Sequence, residues 1–370
     1  MISPPARENL RRLAGPAAVL LAGAALAATA RALRRRPSIQ FRDRVAVITG
    51  GSRGLGLLMA RELAAEGARI AILARDPAEL DLARRELAAI GGLRVLALPC
   101  DVGNEDEMRW AIDAAAERFG RLDILINNAG IIQVGPLEHM TVEDFEEAMR
   151  VHFWGPFYAT LAALPHLRKR ETGRIVNISS IGGRIAVPHL VPYSASKFAL
   201  AGLSDGLRTE LAKERIYVTT VCPGLMRTGS HVNAQFKGKR DEEFSWFAVG
   251  DSLPLTSMAG KRAACRILEA CRYGEPALTL TWQAKTAMAA NGVAPNLVAR
   301  CLELAARFLP GPAGEEGQEA RPGWQSSSRW APSVLTRLAD EAAVENNELR
   351  GAAVEYGSNG RKKEEREVEM

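Results

Sequence analysis

The sequence predicts an α/β fold, a doubly wound parallel sheet with helices on both faces, on two observations. From Phe41 onward, short β-branched runs alternate with segments of 3.6-residue periodicity, and such a repeat closes as parallel strands covered by helices. A glycine-rich turn also joins the first strand to the first helix, where a sheet of this kind holds an anion.

The elements follow in chain order. Strands buried on both faces are expected at Arg44–Thr49, Arg69–Ala74, Arg94–Leu98, Leu122–Ile126, Arg174–Ser179, Tyr217–Val221 and Ala277–Leu280. Between the first three lie helical patterns, Leu57–Glu66 stopped by Gly67 and Glu79–Ile90 stopped by Gly91-Gly92. A helical segment broken near Pro295 is expected over Lys285–Leu309, its apolar stripe running through Leu297, Val298, Cys301, Leu302 and Phe308. That stripe suits a membrane surface or a partner as well as the domain itself. After Pro310 the chain is rich in Gly, Pro, Ser and Glu, and a mostly disordered tail with one short helix near Val334–Glu341 is expected.

Composition narrows the function. A chain of 370 residues, 47% hydrophobic and 25% charged, folds around a core and is not disordered, collagen-like or disulfide-stapled. Five cysteines without a C-x-x-C pair indicate neither a zinc knuckle nor a disulfide framework, and no metal is expected. The net charge of +5 is unevenly spread: residues 1–36 carry seven arginines against one glutamate, and 311–370 carry eight basic against twelve acidic side chains. The section between is too weakly basic to imply a nucleic-acid partner.

The basic N-terminus encloses an apolar run, Leu13 to Ala30, flanked by Arg11, Arg12 and by Arg31, Arg34, Arg35 and Arg36. Eighteen residues span roughly 27 Å as a helix, about the thickness of a hydrocarbon layer. A membrane anchor is expected, with the following domain held on the cytoplasmic side by the arginine cluster. A cleaved signal peptide and a soluble Ala-rich helix are the alternatives. The organisation is then 1–36 anchor, 41–282 catalytic domain, 283–310 amphipathic helix and 311–370 tail.

The first chemical signal is Thr49-Gly50-Gly51-Ser52-Arg53-Gly54-Leu55-Gly56, between strand and helix, where glycines let backbone N–H groups approach a pyrophosphate. It is followed by Asn127-Asn128-Ala129-Gly130, by Ser179-Ser180 and by Tyr193-Ser194-Ala195-Ser196-Lys197. In this order and spacing the motifs resemble the short-chain dehydrogenase/reductase family, in its single-domain Rossmann branch, from Phe41 to about Trp282.

Tyr193 and Lys197 are one helical turn apart and can face one pocket. A neighbouring ammonium is expected to lower the Tyr193 pKa, making it a usable acid and base, while Ser180 hydrogen-bonds the same substrate oxygen. The resemblance implies these roles, with Lys197 also holding the nicotinamide ribose. Ser179 faces the other way along its strand. One position departs from the family pattern: its fourth catalytic member is an Asn in N-x-x-G, and here the stretch reads His152-Phe153-Trp154-Gly155. The resemblance gives that residue's backbone carbonyl a part in holding a water behind the lysine, so His152 is expected to alter the proton relay of an active enzyme. The alternative is a histidine that only packs or caps within its helix.

Cofactor choice is read at the end of the second strand, where NAD enzymes of this kind place an Asp. Here stands Ala74, followed by Arg75, which together with Arg53 suits a 2′-phosphate and predicts NADP(H). Asp76 is read as the cap of the next helix, ahead of Pro77. The resemblance assigns Asp101 and Val102 to the adenine, and Asn128, Ala129 and Gly130 to the ribose and nicotinamide. It also assigns Pro223, Gly224, Met226 and Thr228 to the loop over the carboxamide. In the expected lid, Gly229–Ser257, the aromatics Phe236, Phe244, Trp246 and Phe247 would wall a lipophilic substrate opposite Ile185, Val187, His189 and Leu190, or else serve a subunit interface. The predicted function is hydride transfer between NADP(H) and a lipophilic carbonyl or alcohol, in a membrane-associated homo-oligomer. A catalytically weak NADP(H)-sensing protein is the alternative.

Overall fold

The structure is a computed structural model that describes residues 37–349, except Leu93, Ser327 and Arg329. The chain divides at Gln40, and every element that carries the site follows that point. The Leu13–Ala30 run lies outside the described residues. Among the described residues no helix is long and apolar enough to cross a membrane.

In chain order the elements are β1 (Val45–Thr49), α1 (Gly54–Ala65), β2 (Arg69–Ala74), α2 (Pro77–Gly91), β3 (Val95–Pro99), α3 (Glu105–Phe119), β4 (Ile124–Asn127), β5 (Gln133–Val134) and α4 (Val142–Met149). They continue with α5 (Gly155–Leu167), β6 (Gly173–Ile178), α6 (Val191–Leu211), β7 (Ile216–Cys222), β8 (Leu225–Arg227), β9 (Gln235–Phe236), α7 (Arg240–Ser252), β10 (Ser257–Ala259) and α8 (Gly260–Tyr273). The last are β11 (Ala277–Thr279), α9 (Trp282–Val293), α10 (Pro295–Ala306), β12 (Arg321–Pro322) and α11 (Arg337–Glu345).

Seven strands form one parallel sheet in the order β3-β2-β1-β4-β6-β7-β11. The order reverses between β1 and β4, which opens a crevice at their C-terminal ends. Val45 and Val47 of β1 point into a core with Met108 and Ile112 of α3 and Ala159 and Ala163 of α5. Ala46 and Ile48 point the other way and are fully buried, on the side where α1 meets β1, β2 and α8. Burying such a side chain contributes about 1.5–3 kcal/mol, which is why a five-residue run without a polar face is stable here. All seven expected strands are present, but β3 and β11 are only partly buried, because they are the sheet's edges and each has one neighbour.

A second core lies beside the sheet. Val134, Val232, Phe236, Phe244 and Phe247 pack there with Leu190 and with Ala331 and Ala343 of the C-terminal tail. In a three-stranded sheet, β9 pairs parallel with β5 and antiparallel with β12. The expectation of a mostly disordered tail is therefore corrected over 311–349. Its fully packed apolar residues are small, Ala331, Ala339, Ala342 and Ala343, and with Trp324 and Leu349 beside them they dock on an aromatic surface supplied by earlier residues. The close approach is permitted by Gly229 (φ +91°), where a Cβ would stand 2.3 Å from the Ala343 Cα. The short tail helix falls at Arg337–Glu345, a few residues beyond its expected place. The helical segment expected over Lys285–Leu309 with a break near Pro295 is α9 and α10, which meet at Ala294. No residue of α10 is buried, so its stripe, with Leu297 and Leu304, does not pack against the domain.

Candidate active site

The crevice begins with the turn after β1. Gly50 has φ +64°, and a Cβ on Gly56 would stand 2.0 Å from the Gly50 carbonyl oxygen, so both positions require glycine. The turn is locked to the strand beside it. Thr49 Oγ1 accepts from the Asn128 and Ala129 N–H groups at 2.9 and 3.1 Å, while Asn128 Nδ2 donates to the Thr49 and Gly50 carbonyls at 3.1 and 3.0 Å. Helix α1 starts without a side-chain cap or an acidic residue in its first turn. Its N–H groups and positive dipole end thus form an anion cradle, and a pyrophosphate fits this donor set. Thr49 was not singled out from the sequence, although its place as the last strand residue before the glycines marks it.

At the adenosine end, Asp76 caps α2, accepting from Ala78 N–H at 2.7 Å and Glu79 N–H at 3.2 Å. Ala74, Arg75, Asp76 and Glu79 line the crevice here, with Arg75 exposed. Arg53 is drawn away from the role expected for it: Nη1 meets Glu79 Oε1 at 3.1 Å, and Nε lies 3.5 Å from Glu348 Oε2. Burial works against ionisation of Asp101, but hydrogen bonds from Arg150 Nη1 (2.8 Å) and the Gly103 N–H (3.0 Å) outweigh it and hold the carboxyl below its ordinary pKa.

The reacting end is built from β6 and α6. Ser179 Oγ donates to the Lys197 carbonyl at 2.9 Å and is thereby committed to the helix backbone. Ser180 Oγ accepts from the Gly182 N–H at 3.0 Å and also hydrogen-bonds the Tyr193 phenol. Lys197 Nζ lies 5.6 Å from the Tyr193 ring centroid and donates to the Ile178 carbonyl at 3.0 Å. Burial lowers the Lys197 pKa to about 7. The expected lowering of Tyr193 is corrected: burial raises it, and the Ser180 hydrogen bond only partly offsets this. With Lys197 Nζ aimed at the Ile178 carbonyl, the loss of water around the phenol decides the direction.

His152 sits in a π-helical turn, Arg150–Trp154, between α4 and α5. Its Nε2 accepts from the Ile131 N–H at 3.1 Å, so the ring proton belongs on Nδ1, which lies 2.8 Å from Ser196 Oγ. Ser196 Oγ in turn donates to the Tyr193 carbonyl at 2.8 Å. The ring is edge-on to Tyr193, 5.4 Å between centroids. Burial first, then the Lys197 charge, pushes the imidazole pKa well below its usual value, so the ring is neutral.

These groups open on one cavity of about 460 Å³. Gly50, Ser52, Arg53, Gly54, Leu55, Arg75, Asp101, Val102, Asn128, Ala129 and Gly130 line it, as do His152, Ser180, Tyr193, Lys197, Pro223, Gly224, Met226 and Thr228. Gly51 and Gly56 stand behind the turn, against Ile72 and the Gly50 carbonyl. The lid aromatics do not line the cavity. Phe236, Phe244 and Phe247 are buried in the second core, which removes them from both the substrate wall and an exposed interface. Glu79, Ile131, Ile132 and Glu348 line the cavity without having been expected there. Among the described residues no cluster of His, Cys, Asp and Glu could hold a metal ion.

Comparison with known proteins agrees with this geometry. The short chain dehydrogenase family model matches residues 44–237. An uncharacterized oxidoreductase of Mycobacterium bovis is 39% identical over 188 residues, 50% of this chain and 74% of the relative. A granaticin polyketide synthase putative ketoacyl reductase of Streptomyces violaceoruber is 35% identical, covering 61% of this chain and 85% of its own. An 11-beta-hydroxysteroid dehydrogenase-like protein of Arabidopsis thaliana is 39% identical over 52% of this chain and 63% of its own. The crystal structure of a 3-ketoacyl-(acyl-carrier-protein) reductase from Brucella melitensis, complexed with NADH, superposes with a TM-score of 0.57 at 27% identity, over 65% of this chain and 97% of that one. On sequence, fold and site together, the chain belongs to the short-chain dehydrogenases, a family of oxidoreductases that use a nicotinamide cofactor.

Proposed function

We propose that the protein interconverts a lipophilic carbonyl compound and its alcohol with NADP(H). The observation that carries this reading is the meeting of Ser180, Tyr193 and Lys197 in the same cavity as the glycine cradle, with Ala74 in place of a carboxylate at the end of β2 and Arg75 beside it. The names of a ketoacyl reductase and a hydroxysteroid dehydrogenase-like protein among the relatives point to carbonyl chemistry. Ile131, Ile132, Val151 and Met226 supply apolar lining.

The dinucleotide would be held by the α1 N-terminus, Arg75 and the Asn128–Gly130 turn, and its nicotinamide supplies or accepts the hydride when bound. In the reducing direction the Tyr193 hydroxyl gives its proton to the substrate oxygen as that oxygen gains charge, and Ser180 donates a hydrogen bond to the same atom. Lys197, with a pKa of about 7, can return a proton to the tyrosine side at neutral pH. His152 has both ring nitrogens engaged, so its role is positioning: it ties the Ile131 turn to α6 and passes no proton itself. Consumption of NADPH with a panel of hydrophobic ketones and aldehydes tests the reading. Turnover should be seen with NADPH in preference to NADH, and absence of turnover with both contradicts it.

Membrane attachment through Leu13–Ala30 and self-association belong to the same proposal. Exposed Trp154, Leu161 and Phe198 offer a face for a second copy. Deleting residues 1–36 should release the protein from membranes with activity retained, since the proposed site residues begin at Thr49; a deletion variant that stayed bound would transfer that role to α10.

A further inference from the structure

Three residues beyond α11 lie across the anion cradle. The Asn346 carbonyl accepts from the Gly54 N–H at 2.9 Å, taking one of the donors at the start of α1. Asn347 Nδ2 donates to the Ser52 carbonyl at 3.4 Å. Glu348, 6% exposed, is pressed against the same turn, and a Cβ on Gly54 would stand 2.5 Å from its Oε1. Its other oxygen faces Arg53 Nε at 3.5 Å and accepts from Asn233 Nδ2 at 2.6 Å. The segment is anchored on the far wall as well, Asn346 Nδ2 donating to the Thr228 carbonyl at 3.3 Å. A carboxylate beside an arginine at a helix N-terminus presents the chemistry of a phosphate oxygen.

We propose that Asn346–Glu348 is a strap that occupies the pyrophosphate part of the dinucleotide site, so that the cofactor enters only when the strap lifts. This rests on the dinucleotide reading above. The Gly54 N–H cannot serve both acceptors, and two anions at one cradle repel. The strap is therefore an intramolecular competitor, and the affinity seen from outside is the intrinsic one reduced by the fraction of time the cradle is open.

The test is dinucleotide binding by the full chain, by Glu348→Ala and Glu348→Gln, and by a chain ending at Glu345, each checked for folding by circular dichroism. A strap closed nine-tenths of the time makes Glu348→Ala and the shortened chain bind NADPH and NADH about tenfold more tightly. Both cofactors should gain alike, because they share the pyrophosphate. Glu348→Gln, which keeps the shape and removes the charge, should gain less and carries the test if the alanine variant does not fold. Hydrogen exchange in peptides covering 337–349 should quicken when NADPH is added to the full chain. Unchanged or weaker binding by the variants, beside measurable binding by the full chain, overturns the strap and leaves the dinucleotide reading standing. Exchange that slows on NADPH overturns it too, as the mark of a cover rather than a competitor. Binding of neither dinucleotide by any of the four chains overturns the dinucleotide reading, and the strap with it.

Discussion

The two hydrophobic cores of this molecule are assembled over different distances in sequence. The sheet core brings together Val47, Leu73, Leu125 and Ile175 of four paired strands with Ile112 of the covering helix α3. The second core joins Val134 and Phe244 to Ala331 and Ala343, residues up to 209 positions apart. Of the proposed catalytic groups, Ser180 follows β6 of the first core, whereas Tyr193, carried with Lys197 on α6, packs against the second. The second core holds the tail that reaches Gly54. The second core thus supports both the proposed acid/base residue and the tail that reaches the cradle.

The largest effect is expected at Tyr193, where the site meets the second core. Tyr193→Phe removes the transferable proton and keeps the ring, so kcat should fall by about 10²–10⁴-fold while NADPH affinity stays within about twofold, measured by steady-state rates and by fluorescence titration. An equal loss in both would move Tyr193 from chemistry to binding.

In the second region Phe244→Ala empties a fully buried site and should cost about 3–5 kcal/mol in denaturant unfolding. Hydrogen exchange should quicken in 331–349 and remain slow in β1 and β4. Uniform quickening would show that the two cores unfold as one.

Arg75→Ala should weaken NADPH by about 1.5–3 kcal/mol, the range for a charged hydrogen bond, and leave NADH nearly unchanged. Equal losses for both dinucleotides would remove Arg75 as the selector.

The smallest effect concerns Asp251 of α7. Burial raises its pKa from 3.8 to about 6, against the attraction of His231, whose Nδ1 lies 3.9 Å away, and of Arg227. With the folded pKa above the unfolded one, its stabilising contribution is complete below about pH 4 and is lost as pH rises through 6. Thermal scans should show the wild type losing a few degrees relative to Asp251→Asn across that window. Parallel curves would mean that Asp251 does not titrate there.

The same division explains what the sequence made legible. The seven strands, the Asp76 cap and the Ser180–Tyr193–Lys197 set are local patterns with short-range causes: alternating runs, a Pro after a cap, a helical spacing of four. Edge exposure of β3 and β11 depends on strand order, which no run of residues declares. The docking of the tail was not legible because its buried anchors are mostly alanines and because Glu348 meets Gly54 from far along the chain. The lid aromatics misled for the same reason, since their burial against Ala331 and Ala343 could not be read from Phe236 or Phe244 alone. For His152, the position was visible, but the two partners that engage its ring come from separate segments, Ile131 and Ser196.

On the proposed function a hydride passes between the nicotinamide and a carbonyl carbon beside Tyr193. Incubating the protein with a hydrophobic ketone and NADPH deuterated at both nicotinamide C4 positions, then weighing the product by mass spectrometry, tests it most directly. The account predicts an alcohol carrying one deuterium on the former carbonyl carbon with the wild type, and next to none with Tyr193→Phe. Tight NADPH binding with no deuterium in any product across a broad panel of ketones and aldehydes would contradict it.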